Sequence, residues 1–197
     1  DILRHNKTMT SLDLSWNDFG QTAGAVECIA NGLGSNSTLL KINLSNCSLG
    51  DDGISIVAQT LVSRNTTLQK LILGTNSITS TGVGVLLETI EQSHHITDLD
   101  LQRNYIGDGG AVRLARSLGH NALPNLTHLS LRNCGIGDDG FIALMSALEH
   151  NTSLLHLDLR FEHGSSERAF LALAESLPDI QVLQRIDLTW CPGLVSV

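Results

Sequence analysis

The sequence predicts an α/β fold: a right-handed solenoid bent into a horseshoe, with parallel strands on the concave face and helices on the convex face. Two observations carry this. The first is a repeat, Leu-x-x-Leu-x-Leu-x-x-Asn/Cys-x-Leu, that fills the chain from Met9 to Cys191. Its Asn/Cys position recurs at 17, 47, 76, 104, 134, 162 and 191, in steps of 28 to 30 residues. Such a period marks a stack of coils, each burying its apolar face only against its neighbours. The second is a switch of hydrophobic period inside every copy. Leu-x-Leu alternates like a half-buried strand, and the remainder follows a helical period.

The copies are read in order. The first runs Met9, Leu12, Leu14, Asn17, Phe19; the second Leu39, Ile42, Leu44, Cys47, Leu49; the third Leu68, Leu71, Leu73, Asn76, Ile78. The fourth runs Ile96, Leu99, Leu101, Asn104, Ile106 and the fifth Leu126, Leu129, Leu131, Cys134, Ile136. Two less regular copies follow: Leu154, Leu157, Leu159, Glu162 and Leu183, Ile186, Leu188, Cys191. Between strands, the sets Val26/Ile29/Ala30/Leu33, Ile54/Val57/Ala58/Leu61, Val83/Leu86/Leu87/Ile90, Ala111/Leu114/Ala115/Leu118, Phe141/Leu144/Met145/Leu148 and Phe170/Leu173/Ala174/Leu177 each define one helix face. Asp in Gly50-Asp-Asp-Gly53, Gly107-Asp-Gly-Gly110 and Gly137-Asp-Asp-Gly140 is placed to accept from free N–H groups at the helix starts. Asn65, Asn121 and Asn151 are placed to end helices in the left-handed conformation. A helix is about 10 Å wide and strands lie about 4.8 Å apart, so stacking both in register forces curvature. The Asn or Cys after each strand is expected to point inward and satisfy loop backbone groups.

Length, Asn/Cys alternation, the Gly-Asp-x-Gly helix start and a His-Asn-x-Ser/Thr-Leu tail such as His150-Asn-Thr-Ser-Leu154 resemble the ribonuclease-inhibitor type of leucine-rich repeat. The resemblance covers nearly the whole chain. It implies a single leucine-rich-repeat domain over residues 1–197 with about seven repeats. It also implies a protein-binding module rather than an enzyme, because members include enzyme inhibitors, ligand-sensing ends of NOD-like receptors, Ran GTPase activators and cytoskeletal caps. A GTPase activator is the rival from another class. Its rim Asn and Arg contacts cannot be matched here residue by residue, and its acidic tail is absent. A purely structural segment with an inert concave face is the third reading.

Asp1 to Met9 reads as the tail of a preceding repeat, and the chain closes on a strand at Thr189 to Leu194 with no helix after it. This points to a fragment of a longer protein. Net charge is −8 with scattered acids, which disfavours a nucleic-acid backbone or an anionic membrane as partner. Cys47, Cys134 and Cys191 occupy the repeat slot and Cys28 lies in a helix. Repeat spacing puts Cys134 and Cys191 about 10 Å apart, beyond disulfide reach, so reduced thiols and a cytoplasmic or nuclear setting are expected. Asn-x-Ser/Thr sequons at Asn6, Asn36, Asn43, Asn46, Asn65, Asn125 and Asn151 belong largely to the repeat's own tail.

No chemistry-bearing motif survives comparison with its repeat siblings. Gly135-Ile-Gly137-Asp-Asp-Gly140 matches G-x-G-x-x-G, but its acids stand where a phosphate would bind, so it reads as a helix start. His94-His95 and the His-Asn pairs have no second cluster at zinc-like spacing. No cofactor or metal is expected.

Recognition is expected instead from the columns flanking the strand leucines. Repeats four to seven carry Asp98, Asp100, Arg103, His128, Arg132, Asp158, Arg160, Phe161, Arg185, Asp187 and Trp190 there. Arg and aromatic residues among polar ones make up interface hot spots. Trp16 and Trp190 are alternatively end-packing residues. Repeat six, with Glu162 for Asn/Cys and Gly164 for leucine, is expected to bulge outward.

Overall fold

The computed structural model describes residues 2–192 except 64 and 66, so Asp1, Gly193 and Leu194 lie outside the described residues. Seven strands form one sheet in chain order: β1 (Ser11–Asp13), β2 (Lys41–Asn43), β3 (Lys70–Ile72), β4 (Asp98–Asp100), β5 (His128–Ser130), β6 (His156–Asp158) and β7 (Arg185–Asp187). All six pairings are parallel, and Leu12, Ile42, Leu71, Leu99, Leu129, Leu157 and Ile186 share one row. Helix α1 (Ile2–His5) precedes β1. Helices α2 (Ala25–Ser35), α3 (Gly50–Ser63), α4 (Ser80–Ser93), α5 (Gly107–Gly119), α6 (Asp138–Leu148) and α7 (Glu167–Ser176) each follow a strand and pack on the preceding helix. Backbone pairing continues past each strand: Arg103 N–H donates to Arg132 O at 2.8 Å and Asn133 N–H to Arg160 O at 2.8 Å.

The core lies between sheet and helices, where the strand leucines meet the helix faces; Phe141 is fully buried at its centre. Leu12, Leu14, Ile186 and Leu188 are only half-buried, because an end strand has one neighbour.

The inward Asn/Cys slot behaves as the repeat implies. Asn76 Oδ1 accepts from Cys47 N and Leu49 N, and its Nδ2 donates to Leu44 O and Leu73 O. Asn104 does the same one repeat later. In the cysteine repeats, the thiols donate to the same row of carbonyls, as from Cys134 Sγ to Leu101 O. All four cysteines are free, and burial pushes the Cys134 thiol up to about 12.

Four expectations are corrected. The loop aspartates reach forward to the next repeat instead of capping their own helices. Asp51 accepts from Thr79 N and Oγ1, Asp108 from Gly137 N and Gly140 N, and Asp138 from Ser166 N and Oγ. Glycines beside these aspartates are required by space: a Cβ on Gly82 would overlap Asp51 Oδ1, and one on Gly140 would lie 2.7 Å from Asp108 Oδ1. Second, Asn121 is left-handed (φ 52°) but Asn151 is not. Asn151, like Asn36 and Asn65, is buried, each accepting from two backbone N–H groups ahead and donating Nδ2 to the preceding repeat. Third, α7 buries Ala169, Leu173 and Ser176 and leaves Leu177 exposed. In repeats two to five the first helix core residue lies ten positions after the second strand leucine, as from Leu131 to Phe141; the same step from Leu159 reaches Ala169.

Repeat six does not bulge. Glu162 is completely buried and its carboxylate accepts from Cys134 N (Oε1, 2.7 Å) and Ile136 N (Oε2, 2.7 Å), taking over the Asn role with two oxygens. Gly137 and Gly164 form a parallel bridge, and a Cβ on Gly164 would lie 3.1 Å from Gly137 Cα. The missing side chain at 164 is what lets the two loops approach.

Candidate functional site

The register turns the strand-flanking residues into two continuous columns. One is Ser11, Lys41, Lys70, Asp98, His128, His156 and Arg185; the other is Asp13, Asn43, Ile72, Asp100, Ser130, Asp158 and Asp187. All are exposed or half-buried, opposite the face that packs on the helices. A groove of about 450 Å³ runs across this face, lined on its polar side by Lys41, Lys70, Asp98, Asp100, His128, His156, Asp158, Arg160, Arg185 and Asp187. Seven of the eleven sequence-expected residues therefore share one groove: Asp98, Asp100, His128, Asp158, Arg160, Arg185 and Asp187. The other four, Arg103, Arg132, Phe161 and Trp190, stand on the adjoining loop edge.

Within the groove the polar groups are largely paired across repeats. Lys70 Nζ lies 2.9 Å from Asp98 Oδ1, and His128 Nδ1 lies 3.8 Å from the same oxygen. His128 stacks on His156 with ring centroids 4.5 Å apart. Arg160 holds Asp158 with Nε and Nη2 and lies 3.7 Å from Asp187, which Arg185 also contacts at 3.2 Å. Burial works against ionisation of Asp98, but hydrogen bonds from Thr97 and Lys70 outweigh it and keep its carboxyl below the usual range. The Thr189 hydroxyl does most to lower Asp187. Asp100 goes the other way: desolvation raises it, and the Asp158 charge adds to the rise.

The central acid column has a local structural duty. Asp13, Asn43, Asp100, Asp158 and Asp187 each accept, through Oδ1, from the N–H two residues on. This Asx turn ends the strand. The residue three past this column is left-handed in all seven repeats: Trp16, Asn46, Thr75, Arg103, Asn133, Phe161 and Trp190, with φ between 53° and 62°. Asn tolerates that region, whereas an aromatic there is strained. The recurrence shows that the turn imposes the conformation, and it throws the side chain out along the loop edge.

On that edge the Arg132 guanidinium carbon lies 4.6 Å from the Phe161 ring centroid, and Phe161 stacks on Trp190 at 6.1 Å with 11° between planes. Arg132 Nε is buried with no hydrogen-bond partner. Trp190 is 70% exposed and Trp16 81%, so neither serves as an end-packing residue. Sequence reasoning passed over Lys41, Lys70 and His156, which line the groove, although their place in the first column was the available signal. Exposed Tyr105, beside Arg103 in a shallow depression, had no such signal. Among the described residues no cluster of three His, Cys, Asp or Glu side chains could hold a metal ion, and no helix is long and apolar enough to cross a membrane.

Comparison with known proteins agrees with this geometry. A family model described as leucine-rich repeat matches residues 5–24, 35–57, 64–87, 92–115 and 122–145, more than half of the chain. The chain is 35% identical over 97 residues to a ribonuclease inhibitor of Sus scrofa, covering 49% of this chain and 21% of that protein. It is 30% identical over 146 residues to NACHT, LRR and PYD domains-containing protein 14 of Mus musculus, covering 60% of this chain and 15% of that protein. The match thus spans about a fifth or less of these relatives' length. Among solved structures, leiomodin-1 actin-binding site 2 superposes with a TM-score of 0.57 at 16% identity, covering 90% of this chain and 84% of that one. The leucine-rich-repeat protein LegL7 of Legionella pneumophila gives 0.53 at 19% identity, covering 98% and 69%. At these identities the likeness concerns the fold. By its repeat, its strand–helix coil and its relatives, the chain belongs to the leucine-rich-repeat family, of the ribonuclease-inhibitor type.

Proposed function

We propose that this chain binds a protein partner through its concave groove and adjoining loop edge, with Arg132, Arg160, Phe161 and Trp190 as anchors. The observation that carries the reading is the placement of Phe161 and Trp190. Both occupy a left-handed position that Asn fills in two other repeats, and they stack outward beside a cation instead of packing into the core. Strain kept at an exposed site fits a functional role, and aromatic and Arg side chains dominate interface energetics. The hydrogen-bonded sheet pre-organises the groove, which lowers the ordering cost of binding. The free cysteines and the likeness to NACHT-containing proteins support the repeat region of a larger intracellular sensor as the setting.

The test is affinity capture from lysate with the intact chain, the double reversal Arg132→Glu/Arg160→Glu, and the convex-face control Arg116→Glu. Proteins retained by the wild type and control but lost with the double reversal are expected. The same retained set with all three would refute concave binding. A single-turnover GTP hydrolysis assay with Ran, run in parallel, addresses the GTPase-activator alternative, for which the site geometry supplies no support.

A further inference from the structure

Charge is segregated in this chain. Taking the two strand columns with the two that follow them (Ser15, Ser45, Gly74, Gln102, Arg132, Arg160, Thr189 and the left-handed set), the face holds six of the twelve Lys and Arg residues but only five of the twenty acids. Formally it is +1, while the rest of the chain is −9. His128 and His156 lie on the same face.

Hydrogen-bonding capacity is just as uneven. Every acid on this face already has internal donors. Asp13 takes Ser15 N, Ser15 Oγ and Asn43 Nδ2, and Asp98 takes Lys70 and Thr97. Asp100 takes Gln102 N and Nε2, Asp158 takes three donors from Arg160, and Asp187 takes Arg185 and two from Thr189. Three of the six cations are not so employed. Among the described residues, Lys41, Arg103 and Arg132 make no ion pair. Arg132 goes furthest: its Nε has neither an acceptor nor access to water, while its flat face rests on Phe161. Its terminal nitrogens have no carboxylate partner among the described residues, and an incoming carboxylate matches two such N–H groups with two parallel bonds.

Resting on the protein-binding reading above, we infer that the partner segment is acidic: an Asp or Glu carboxylate of the partner engages Arg132, and a neighbouring aromatic or apolar side chain packs on the exposed face of Trp190. Surplus donors next to satisfied acceptors select a carboxylate, and the Phe161–Trp190 stack on which Arg132 rests supplies an apolar seat beside it. Lys41 and Arg103 add attraction farther along the same face, while the negative charge of the remaining surface disfavours other modes of docking for such a partner.

The experiment is selection of a random displayed-peptide library on the immobilised chain, followed by fluorescence anisotropy with a synthetic, fluorescein-labelled copy of the most enriched peptide. Enriched sequences are expected to pair Asp or Glu with a nearby aromatic. The dissociation constant should rise at least about 10-fold with Arg132→Gln and with Trp190→Ala, and remain unchanged with Arg116→Gln. Replacing the peptide's acid by its amide should lose as much as Arg132→Gln. Arg132→Lys, which keeps the charge without the planar fork, should also weaken binding, and thermal melts confirm that each variant is folded. Peptides without an acid that are nevertheless lost with Arg160→Ala would overturn the acidic-partner inference and leave the protein-binding reading standing. Peptides indifferent to every concave variant would overturn both.

Discussion

Replacing Glu162 by Asn should stabilise the chain at neutral pH and have little effect in acid. The Glu162 carboxyl sits in a slot that Asn fills at 76 and 104, with no exposed surface, and burial pushes it from 4.5 to about 7. A shift of this size is worth about 3 kcal/mol at about 1.4 kcal/mol per pH unit. The sign follows from linkage: the folded state holds the proton more tightly than the unfolded chain. Stability from this group is therefore complete below pH 4.5 and is lost as pH rises through 7. Asn accepts both N–H groups with one uncharged oxygen and avoids the loss, but it is one methylene shorter, which costs about 1 kcal/mol. The expected net gain is about 2 kcal/mol at pH 8 and at most a small loss at pH 4.5, read from urea denaturation at the two pH values. A gain of the same size at both, or a loss at pH 8, would show that desolvation does not control this carboxyl.

Asp108→Ala should cost about 2 kcal/mol, because it leaves Gly137 N and Gly140 N without their acceptor; urea denaturation measures it. Leu129→Ala, on the buried side of β5, should cost about 3 kcal/mol by the same assay. Trp16→Asn should raise stability by up to about 1 kcal/mol, since Asn tolerates the left-handed backbone and the indole is exposed. A neutral thiol reagent should label Cys28 rapidly in the folded chain and reach Cys47, Cys134 and Cys191 only on unfolding, as they are buried; mass spectrometry of the labelled chain checks this.

The coil was legible in the sequence because its leucines must face one core, and that requirement writes itself at fixed spacing. The strand columns were legible for the same reason: once Leu-x-Leu fixes the row, its neighbours follow. Two kinds of information were not. A hydrogen bond between repeats leaves no local trace, so Asp51, Asp108 and Asp138 looked like caps for their own helices. Backbone handedness is equally silent when the residue is Trp, Phe or Arg, so the outward throw of Phe161 and Trp190 came from the turn and not from their identity. Glu162 misled because a charged residue in a conserved-looking slot suggests expulsion; its two oxygens instead matched two buried donors.

The forward-reaching aspartates have a consequence for how such a chain tolerates rearrangement. Asp51, Asp108 and Asp138 each hand an acceptor to the following coil, and Asn76, Asn104 and Glu162 each hand one back to the coil before, so the smallest piece that can be cut out cleanly is a complete turn of about 29 residues. Excising a whole turn rejoins giver to receiver. A cut through part of one strands donors on one side and acceptors on the other, and the damage would be felt in the adjoining turn as much as in the one that was shortened.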